Sequence, residues 1–298
     1  MERLFIITGW TGLIGGSLVE YLVSKNKRVC LVEFNDRSNS RTFKDVEYVN
    51  ELELNKIDDI SENSILIHTA SNANASSCMN DAASAVDSNI NLTIKVLELC
   101  KKFNINEFIF LSTGFLYGEG DRKAHLETDQ IIVNNLYLGT KYISEEIIKN
   151  YSKNYKIKSL ILRLGNVFGS ESSEKTVIGR IINQLNSGAT EIKLLSLKPS
   201  RDFIYIKDVV EAIGVVSKDK LVDMTNILNV SSGTETSIKK LSETICTLID
   251  SSLSILEESS QVKNYNSNIL LDISKIEKLY KWKPKYTLHN ALKEILNL

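Results

Sequence analysis

Short apolar runs alternate with helix-like stretches over the first half of the chain. The strand-like runs are "RLFIIT" (3–8), "RVCLVEF" (28–34), "SILIHTA" (64–70), "EFIFLST" (107–113) and "SLILRLG" (159–165). Stretches 13–25 and 89–103 carry apolar residues along one side of a helix. Short, fully apolar strands that alternate with helices are typical of parallel sheets covered on both faces. The pattern therefore predicts an α/β fold with a doubly wound parallel sheet.

The pattern becomes less regular after Gly169. Helices are predicted over 177–188, 237–249 and 287–296, and 203–217 reads as a strand that runs into a helix. We therefore predict a sheet domain over 1–165 and a smaller α/β domain over 166–298. A return of 203–217 to the first domain is the alternative.

Composition and charge narrow the class of protein. The 298 residues are 43% hydrophobic and 24% charged, with a formal net charge of -1. This balance argues against binding to nucleic acid or membrane by bulk electrostatics. Four scattered cysteines and three histidines favour neither a disulfide framework nor a metal site, so no metal is expected. A first strand from Arg3 leaves no room for a signal peptide, and no apolar run approaches the roughly 20 residues of a membrane span. We expect a cytoplasmic protein.

A glycine-rich turn lies between the first predicted strand and the first predicted helix. "ITGWTGLIGG" places Gly9, Gly12 and Gly15 where backbone N–H groups can approach a pyrophosphate at the helix N-terminus. Glu33 ends the second predicted strand, where its carboxylate can accept both hydroxyls of a ribose. A tight turn alone would also explain the glycines. The strand, the helix and the acid together favour a dinucleotide site.

Tyr137 and Lys141 stand at i and i+4 on a predicted helix, so they share one face. A free tyrosine has a pKa of about 10, and we expect the nearby ammonium to favour the phenolate and lower that pKa. The pair can then take a proton from a hydroxyl while hydride leaves the carbon. Thr113 ends a strand at the carboxyl edge of the sheet, where its hydroxyl can donate to the reacting oxygen. A threonine that satisfies its own backbone is the alternative.

Further stretches follow these motifs in the order of a known family. They are "IHTAS" (67–71), Asn89 in "NINLT", "STGFLYG" (112–118), "LRLGNVFG" (162–169), "RDFIYIKDVVEAI" (201–213), "NVSSG" (229–233) and "WKPKYTLHNAL" (282–292). With the glycine turn and the Tyr137/Lys141 pair, they resemble the extended short-chain dehydrogenases/reductases, in the NAD-dependent nucleotide-sugar epimerase/dehydratase family. The resemblance covers nearly the whole chain. It implies a Rossmann-type sheet domain for NAD and a C-terminal domain for a nucleotide sugar.

The resemblance implies a role for each matching residue. Thr113, Tyr137 and Lys141 would be catalytic, and Tyr137 and Lys141 would also contact the cofactor. The remaining cofactor-binding residues would be Gly9, Gly12, Leu13, Ile14, Gly15, Glu33, Thr69, Ala70, Ser71 and Asn89. Asn166 and Arg201 would bind the substrate diphosphate, together with Thr113 at the sugar. A guanidinium fork suits phosphate oxygens, which supports Arg201 independently; an ion pair with Asp202 is the alternative.

The residues after Thr113 bear on the reaction. Family members that remove water from the sugar resemble one another in an Asp-Glu pair at these positions, and decarboxylating members usually have a glutamate. Elimination needs a general acid and a base, whereas this chain has Gly114 and Phe115 there, which cannot transfer protons. Dehydration and decarboxylation are therefore disfavoured. Hydride chemistry remains, either 4-epimerisation through a transient ketone or reduction of a 4-keto sugar.

Three functions follow from this interpretation. The first is an NAD-dependent 4-epimerase of a nucleotide-diphosphate sugar. The second is an NAD(P)H-dependent 4-ketoreductase of a nucleotide-linked deoxysugar, and the third is a non-catalytic NAD-binding protein, against which the Thr/Tyr/Lys set speaks. Glu33 favours NAD, while Arg37 and Arg41 leave NADP open. The family often pairs through the helix that carries Tyr137, which implies a homodimer.

Overall fold

A computed structural model describes residues 3–34, 41–58, 60–118, 123–170, 172, 174, 176–250, 252–258 and 267–298. The strands are β1 Leu4–Thr8, β2 Arg28–Glu33, β3 Glu47–Asn50, β4 Ile65–His68, β5 Glu107–Thr113, β6 Lys158–Leu164, β7 Asn166–Phe168, β8 Glu191–Leu194, β9 Ser200–Tyr205, β10 Thr225–Val230, β11 Glu235–Ser237 and β12 Ser254–Glu257. The helices are α1 Leu13–Ser24, α2 Ala75–Asn80, α3 Ala82–Val86, α4 Leu92–Lys102, α5 Leu136–Tyr155, α6 Val177–Asn186, α7 Ile206–Val216, α8 Ile238–Ile249, α9 Ser274–Tyr280 and α10 Leu288–Ile295.

The main sheet has seven strands in the order β10-β6-β5-β4-β1-β2-β3. The pairs β1–β2, β1–β4, β2–β3, β4–β5 and β5–β6 are parallel. The strand order reverses between β1 and β4. Right-handed crossovers therefore place helices on both faces of the sheet, and ligands bind at the carboxyl edge near the reversal. The prediction of a Rossmann-type doubly wound sheet is confirmed.

The central strands of this sheet are apolar because they are buried on both faces. All residues of β1, β4 and β5 are buried. One hydrophobic cluster joins strands to helices and includes Ile6, Leu66, Phe108, Ile161, Val96 from α4 and Ile148 from α5. Each such side chain contributes about 1.5–3 kcal/mol by leaving water. This core fixes the strand ends from which the candidate site is built.

The chain divides into two compact units. The first comprises Met1–Leu116, Gln130–Leu164 and Val210–Leu228, and the second comprises Tyr117–Asp129, Gly165–Val209 and Asn229–Leu298. The division into domains at residue 165 stays a prediction. The compact units differ from it because 117–129 groups with the later chain and 210–228 with the earlier chain.

The second unit contains small sheets, and one of them carries a buried acid. Its three-stranded sheet has the order β11-β9-β7, and β12 pairs in parallel with β8. Asp202 on β9 is 1% exposed. Its carboxylate accepts hydrogen bonds from the backbone N–H groups of Ser232, Gly233 and Leu271. Asp202 therefore connects β9 to two later segments of this unit.

Candidate active site

The glycine turn after β1 is packed too closely for side chains at two of its positions. Gly9 has a φ of 75°, and a Cβ there would lie 2.3 Å from the backbone nitrogen of Ala70. A Cβ on Gly15 would lie 2.3 Å from the carbonyl oxygen of Gly9. Glycine is thus required at both positions, at the first by conformation and by space. Together they bring the start of α1 against the end of β1.

Gly12 meets a different requirement. A Cβ there would have a single neighbour within 4 Å, the carbonyl oxygen of Gly9 at 3.5 Å, and Gly12 is exposed. It is the N-cap of α1, no side chain caps this helix, and its first turn contains no acid. Leu13 and Ile14 begin the helix. The open face and the uncapped N-terminus fit a pyrophosphate, since backbone N–H groups and the helix dipole favour an anion.

The segment after β4 supports this turn. The backbone N–H of Thr69 donates to the carbonyl of Thr8 over 3.1 Å, and its hydroxyl donates to the same oxygen over 2.7 Å. Ala70 lies against Gly9, and Thr69, Ala70 and Ser71 are each half-buried. The structure brings all three close to the carboxyl end of β1. Their contacts with the cofactor stay predictions.

Glu33 lies at the carboxyl end of β2, half-buried and in register with Asn50 of β3. Arg41 donates to the carboxylate of Glu20 over 2.8 Å, and its guanidinium lies against Gly16 of α1. Arg37 lies outside the described residues. Glu33 thus lies at the strand end where it was predicted, and its contact with a ribose stays a prediction. The described arginine is paired with an acid on α1.

Trp10, inside the glycine turn, is a residue whose importance the sequence analysis missed. It is 4% exposed and makes edge-to-face contacts with Phe43 and Tyr48, with ring centroids 6.2 and 5.5 Å apart. Tyr48 also accepts a hydrogen bond from the backbone N–H of Phe43 over 2.5 Å. This cluster attaches the segment before β3 to the glycine turn. An aromatic residue within a glycine pattern was the signal in the sequence.

The structure brings the predicted catalytic residues together where β5 ends and α5 begins. The hydroxyl of Thr113 hydrogen-bonds the Tyr137 side chain and accepts the N–H of Phe115 over 3.3 Å. Lys141 is 4% exposed, donates to the carbonyl of Leu111 over 2.8 Å, and places Nζ 4.6 Å from the ring centroid of Phe110. The two contacts of Lys141 fix α5 against β5. The predicted roles of the three side chains in catalysis stay predictions.

Burial dominates the acid–base properties of this pair. It raises the pKa of Tyr137 from 10.0 to about 12, opposed by the hydrogen bond from Thr113. Burial also lowers the pKa of Lys141 from 10.5 to about 8, with the negative charge of Glu145 acting against it. The expectation that the ammonium holds the tyrosine pKa below its ordinary value is wrong for the chain by itself, because desolvation is the larger effect. A phenolate here needs further positive charge.

Asn89 has its side chain engaged with the chain itself. It is 2% exposed, its Oδ1 accepts the N–H of Asn72 over 2.7 Å, and its Nδ2 donates to the Asn72 carbonyl and to Thr140 Oγ1. These bonds tie the segment after β4 to α5. The predicted position of Asn89 along the cofactor stays a prediction, and the observed contacts give it a structural role in the same region.

Asn166 and Arg201 belong to the second unit. Asn166 on β7 is half-buried and in register with Phe203 of β9. Arg201 on β9 donates from Nη1 to the carbonyls of Ser200 and Ser267, over 2.8 and 2.5 Å. These bonds restrain one edge of the guanidinium. Its role in binding a diphosphate stays a prediction.

A buried ionic cluster near the pair was not found from the sequence. Glu145 on α5 and Arg163 on β6 are paired at 2.7 Å, with side chains 0% and 3% exposed. Two signals for it were present. Arg163 interrupts the apolar run of β6, where a buried cation needs an acid, and Glu145 lies one turn beyond Lys141 on the same face.

The Rossmann-type sheet carries a glycine turn after β1, an acid at the end of β2 and a Thr/Tyr/Lys set. These features together define an extended short-chain dehydrogenase/reductase. The profile of the NAD dependent epimerase/dehydratase family matches residues 5–231. The chain belongs to this family. NAD is its cofactor, and the protein is an enzyme. The family recognised from the motifs is confirmed.

Individual relatives are similar over nearly their whole length. A putative UDP-glucose 4-epimerase of Methanocaldococcus jannaschii is 29% identical, over 99% of this chain and 97% of the relative. A UDP-glucuronate 4-epimerase of Thermodesulfobacterium geofontis is 25% identical, over 98% and 95%. The solved structure of the Thermotoga maritima UDP-glucose 4-epimerase with UDP-glucose superposes with a TM-score of 0.86 at 22% identity, over 99% of this chain and 97% of the other. This structural likeness supports the fold.

Within the part of the chain that the structure describes, no helix is both long and apolar enough to cross a bilayer. The same residues form no group of three or more His, Cys, Asp or Glu side chains that could hold a metal ion. The expectations of no membrane partner, no nucleic acid, no metal and a cytoplasmic location stay predictions.

Proposed function

We propose that the protein is an NAD-dependent 4-epimerase of a nucleotide-diphosphate sugar and acts through a transient 4-keto sugar. The observation that carries this proposal is the position of Thr113, hydrogen-bonded to Tyr137 and followed by Gly114 and Phe115. The hydroxyl of Thr113 and the phenol of Tyr137 therefore lie together, and neither Gly114 nor Phe115 adds a carboxyl group beside them. Relatives whose names describe 4-epimerases of UDP-sugars support a UDP-linked substrate.

The side chains have distinct roles in this reaction. NAD, which the glycine turn and Glu33 would hold, would supply reversible hydride transfer at C4 of the sugar. Tyr137 takes the proton of the C4 hydroxyl in the oxidising half and gives it back in the reducing half. Thr113 orients that oxygen by hydrogen bonding. Lys141 supplies positive charge next to the phenol, which favours the phenolate that burial opposes.

The reaction is tested with a panel of nucleotide hexoses, once without added nicotinamide and once with NADH. An epimerase needs no added NADH and returns a product of unchanged mass, inverted at C4, that retains its C4 hydrogen. A gain of two hydrogens from a 4-keto sugar, with consumption of NAD(P)H, supports the ketoreductase instead. Loss of water or carbon dioxide would overturn the interpretation of Gly114 and Phe115.

We expect NAD to bind more tightly than NADP. A 2′-phosphate would bring negative charge against the half-buried carboxylate of Glu33. Like charges at such a site cost a few kcal/mol, or about a hundredfold in affinity. Calorimetric titration of the nucleotide-free protein gives both dissociation constants. Glu33→Gln should reduce the discrimination. Equal affinity for both nucleotides, or tighter NADP binding, contradicts the prediction.

We expect Arg201→Ala to raise the KM for the nucleotide sugar while NAD affinity stays unchanged. A charge-assisted hydrogen bond to phosphate contributes about 1.5–3 kcal/mol, which corresponds to about a 10- to 150-fold rise in KM. Arg180→Ala, an exposed arginine on α6, is the matched control and should leave KM unchanged. Unfolding of Arg201→Ala, or an equal loss of cofactor and sugar affinity, would show that the role of the guanidinium is structural.

A homodimer is also part of the proposal, on the strength of the family resemblance. Sedimentation equilibrium of the purified protein measures the mass of the assembly directly. A monomer at micromolar concentration would remove this part without affecting the proposed reaction.

A further inference from the structure

Three buried polar side chains meet beneath the catalytic pair. The hydroxyl of Ser112 on β5 donates to Glu145 Oε1 over 2.6 Å. Arg163 on β6 donates from Nε to the same oxygen over 3.1 Å and from Nη2 to Oε2 over 2.7 Å. Ser112 and Arg163 are register partners of the adjacent strands. The carboxylate of Glu145 is therefore held in one orientation by two strands.

This cluster lies one helical turn from Lys141. Glu145 follows Lys141 by four residues on α5, so both side chains lie on the buried face of that helix. Lys141 donates to the carbonyl of Leu111, and Glu145 accepts from Ser112, the next residue of β5. Two adjacent residues of β5 thus bind side chains one turn apart on α5. Thr113 comes next on the strand, and its distance from Tyr137 depends on this register.

The charges that face Lys141 come from several elements. Tyr137 and Glu145 lie on its own helix, Cys78 on α2 and His68 on β4. The guanidinium of Arg163 on β6 is paired with the Glu145 carboxylate. Burial raises the pKa of the Cys78 thiol and lowers the pKa of His68 to about 3, so both are uncharged at neutral pH. Of these described groups, Glu145 is the one that presents a negative charge to the lysine at neutral pH.

Stability alone is a weak reason for this arrangement. Replacing a buried ion pair by apolar side chains of similar volume is often neutral or stabilising, because removing two charges from water is costly. The guanidinium of Arg163 makes a bidentate contact with both carboxylate oxygens of Glu145. It keeps the carboxylate from swinging towards Lys141, whose ammonium then remains bonded to Leu111. The carboxylate of this pair is therefore held in a fixed position near Lys141 without binding it directly.

We propose that Glu145 is a positioning residue for the reaction at Tyr137. Held by Arg163 and Ser112, its carboxylate keeps the buried ammonium of Lys141 charged and keeps α5 in register with the end of β5. The inference deepens the proposed function, on which it rests for the identity of the sugar. Its effect on Lys141 is measurable without any sugar.

The test removes the charge of Glu145 and follows the pH dependence of turnover. In Glu145→Gln the ammonium loses its neighbouring negative charge, so the alkaline limb of the kcat profile moves about one to three pH units lower. KM for the sugar stays near that of the unsubstituted protein. Because Arg163 is left buried and unpaired, Glu145→Gln with Arg163→Met is the second variant. It carries neither charge, so its limb should be displaced in the same direction but by less, because loss of the Arg163 guanidinium offsets part of the lost negative charge.

Glu146→Gln is the matched control. Glu146 is the next residue of α5 and forms an ion pair at 2.6 Å with Lys149, and its side chain is 47% exposed. Its substitution should leave the profile unchanged. A displaced limb in this control would assign the effect to the general charge of the helix and overturn the proposal.

A second readout needs neither sugar nor cofactor. The folded pKa of Lys141, about 8, lies below its ordinary value of 10.5, so between these values the unfolded chain binds more protons. The contribution of Lys141 to the free energy of unfolding therefore rises with pH across that window. In Glu145→Gln with Arg163→Met the rise should begin at lower pH. Lys141→Met, made in both backgrounds, should abolish it.

The outcomes separate this inference from the proposed reaction. Suppose that the pH range in which the free energy of unfolding rises moves lower in the double variant, yet the protein epimerises no sugar. That result would support the role of Glu145 and contradict the proposed function. If the double variant changes neither the alkaline limb of the kcat profile nor the pH range in which the free energy of unfolding rises, the role of Glu145 is overturned. If neither variant folds, the cluster is a structural requirement of the sheet, and the proposal is likewise overturned.

Discussion

Tyr137→Phe should reduce turnover by about 10²- to 10⁴-fold, which is the usual contribution of a general base. The substitution removes the phenol oxygen and keeps the ring at the start of α5. Burial raises the pKa of Tyr137 to about 12, so the phenol is protonated in the chain by itself. The proposed role of Tyr137 as a base therefore requires positive charge, which Lys141 and an oxidised nicotinamide would supply. The variant should still bind NAD, because the ring and Lys141 remain in place.

The measurement is kcat for each variant together with the amount of NAD that copurifies with the protein. Tyr155→Phe is the matched control, since Tyr155 ends the same helix and is 43% exposed. It should retain the activity and the thermal stability of the unsubstituted protein. A Tyr137→Phe variant with kcat within a few-fold of normal would show that another group takes the proton. Loss of NAD along with activity would assign Tyr137 to binding.

The sequence was most informative where local features determine the structure. The apolar runs predicted β1, β2, β4, β5 and β6, and helical spacing predicted α1 and α10 to within two residues at each end. The glycine pattern located the cofactor turn because the conformation of Gly9 and the space at Gly15 admit no side chain. Tyr137 and Lys141 share a face because their spacing of four matches the helical repeat.

Features that depend on distant contacts were not predicted. The short strands β3 and β12 have partly or largely exposed residues and no apolar run, so their sequences carry no strand pattern. The pKa of Tyr137 follows from burial beneath other segments, which the spacing of two residues cannot give. Arg163 was part of a recognised motif, yet its partner lies on a helix that precedes it by 18 residues. The sequence signals point to a buried charge at Arg163, but only the packing of β5, β6 and α5 identifies Glu145 as its partner.

Gly9→Ala should lower the free energy of unfolding by about 2–5 kcal/mol and abolish retention of NAD. A left-handed backbone costs a residue with a Cβ about 1–2 kcal/mol. The added methyl would also lie 2.3 Å from the backbone nitrogen of Ala70, and overpacking of this kind costs typically about 1–3 kcal/mol. Relief of the clash requires the turn to move away from Thr69 and Ala70, which displaces the N–H groups at the start of α1. Chemical denaturation and the nucleotide content of the purified protein measure the two effects.

Gly188→Ala separates the cost of the left-handed backbone from the cost of the steric clash. Gly188 has a φ of 81°, similar to the 75° of Gly9, but no other atom lies within 4 Å of a Cβ built there. This control should therefore lose only the conformational part, about 1–2 kcal/mol, and keep its NAD. Equal losses in the two variants would show that the approach of Ala70 to Gly9 imposes no steric requirement. A greater loss in Gly9→Ala, accompanied by loss of NAD that excess nucleotide does not restore, would show that the close contact between the ends of β1 and β4 forms the cofactor site.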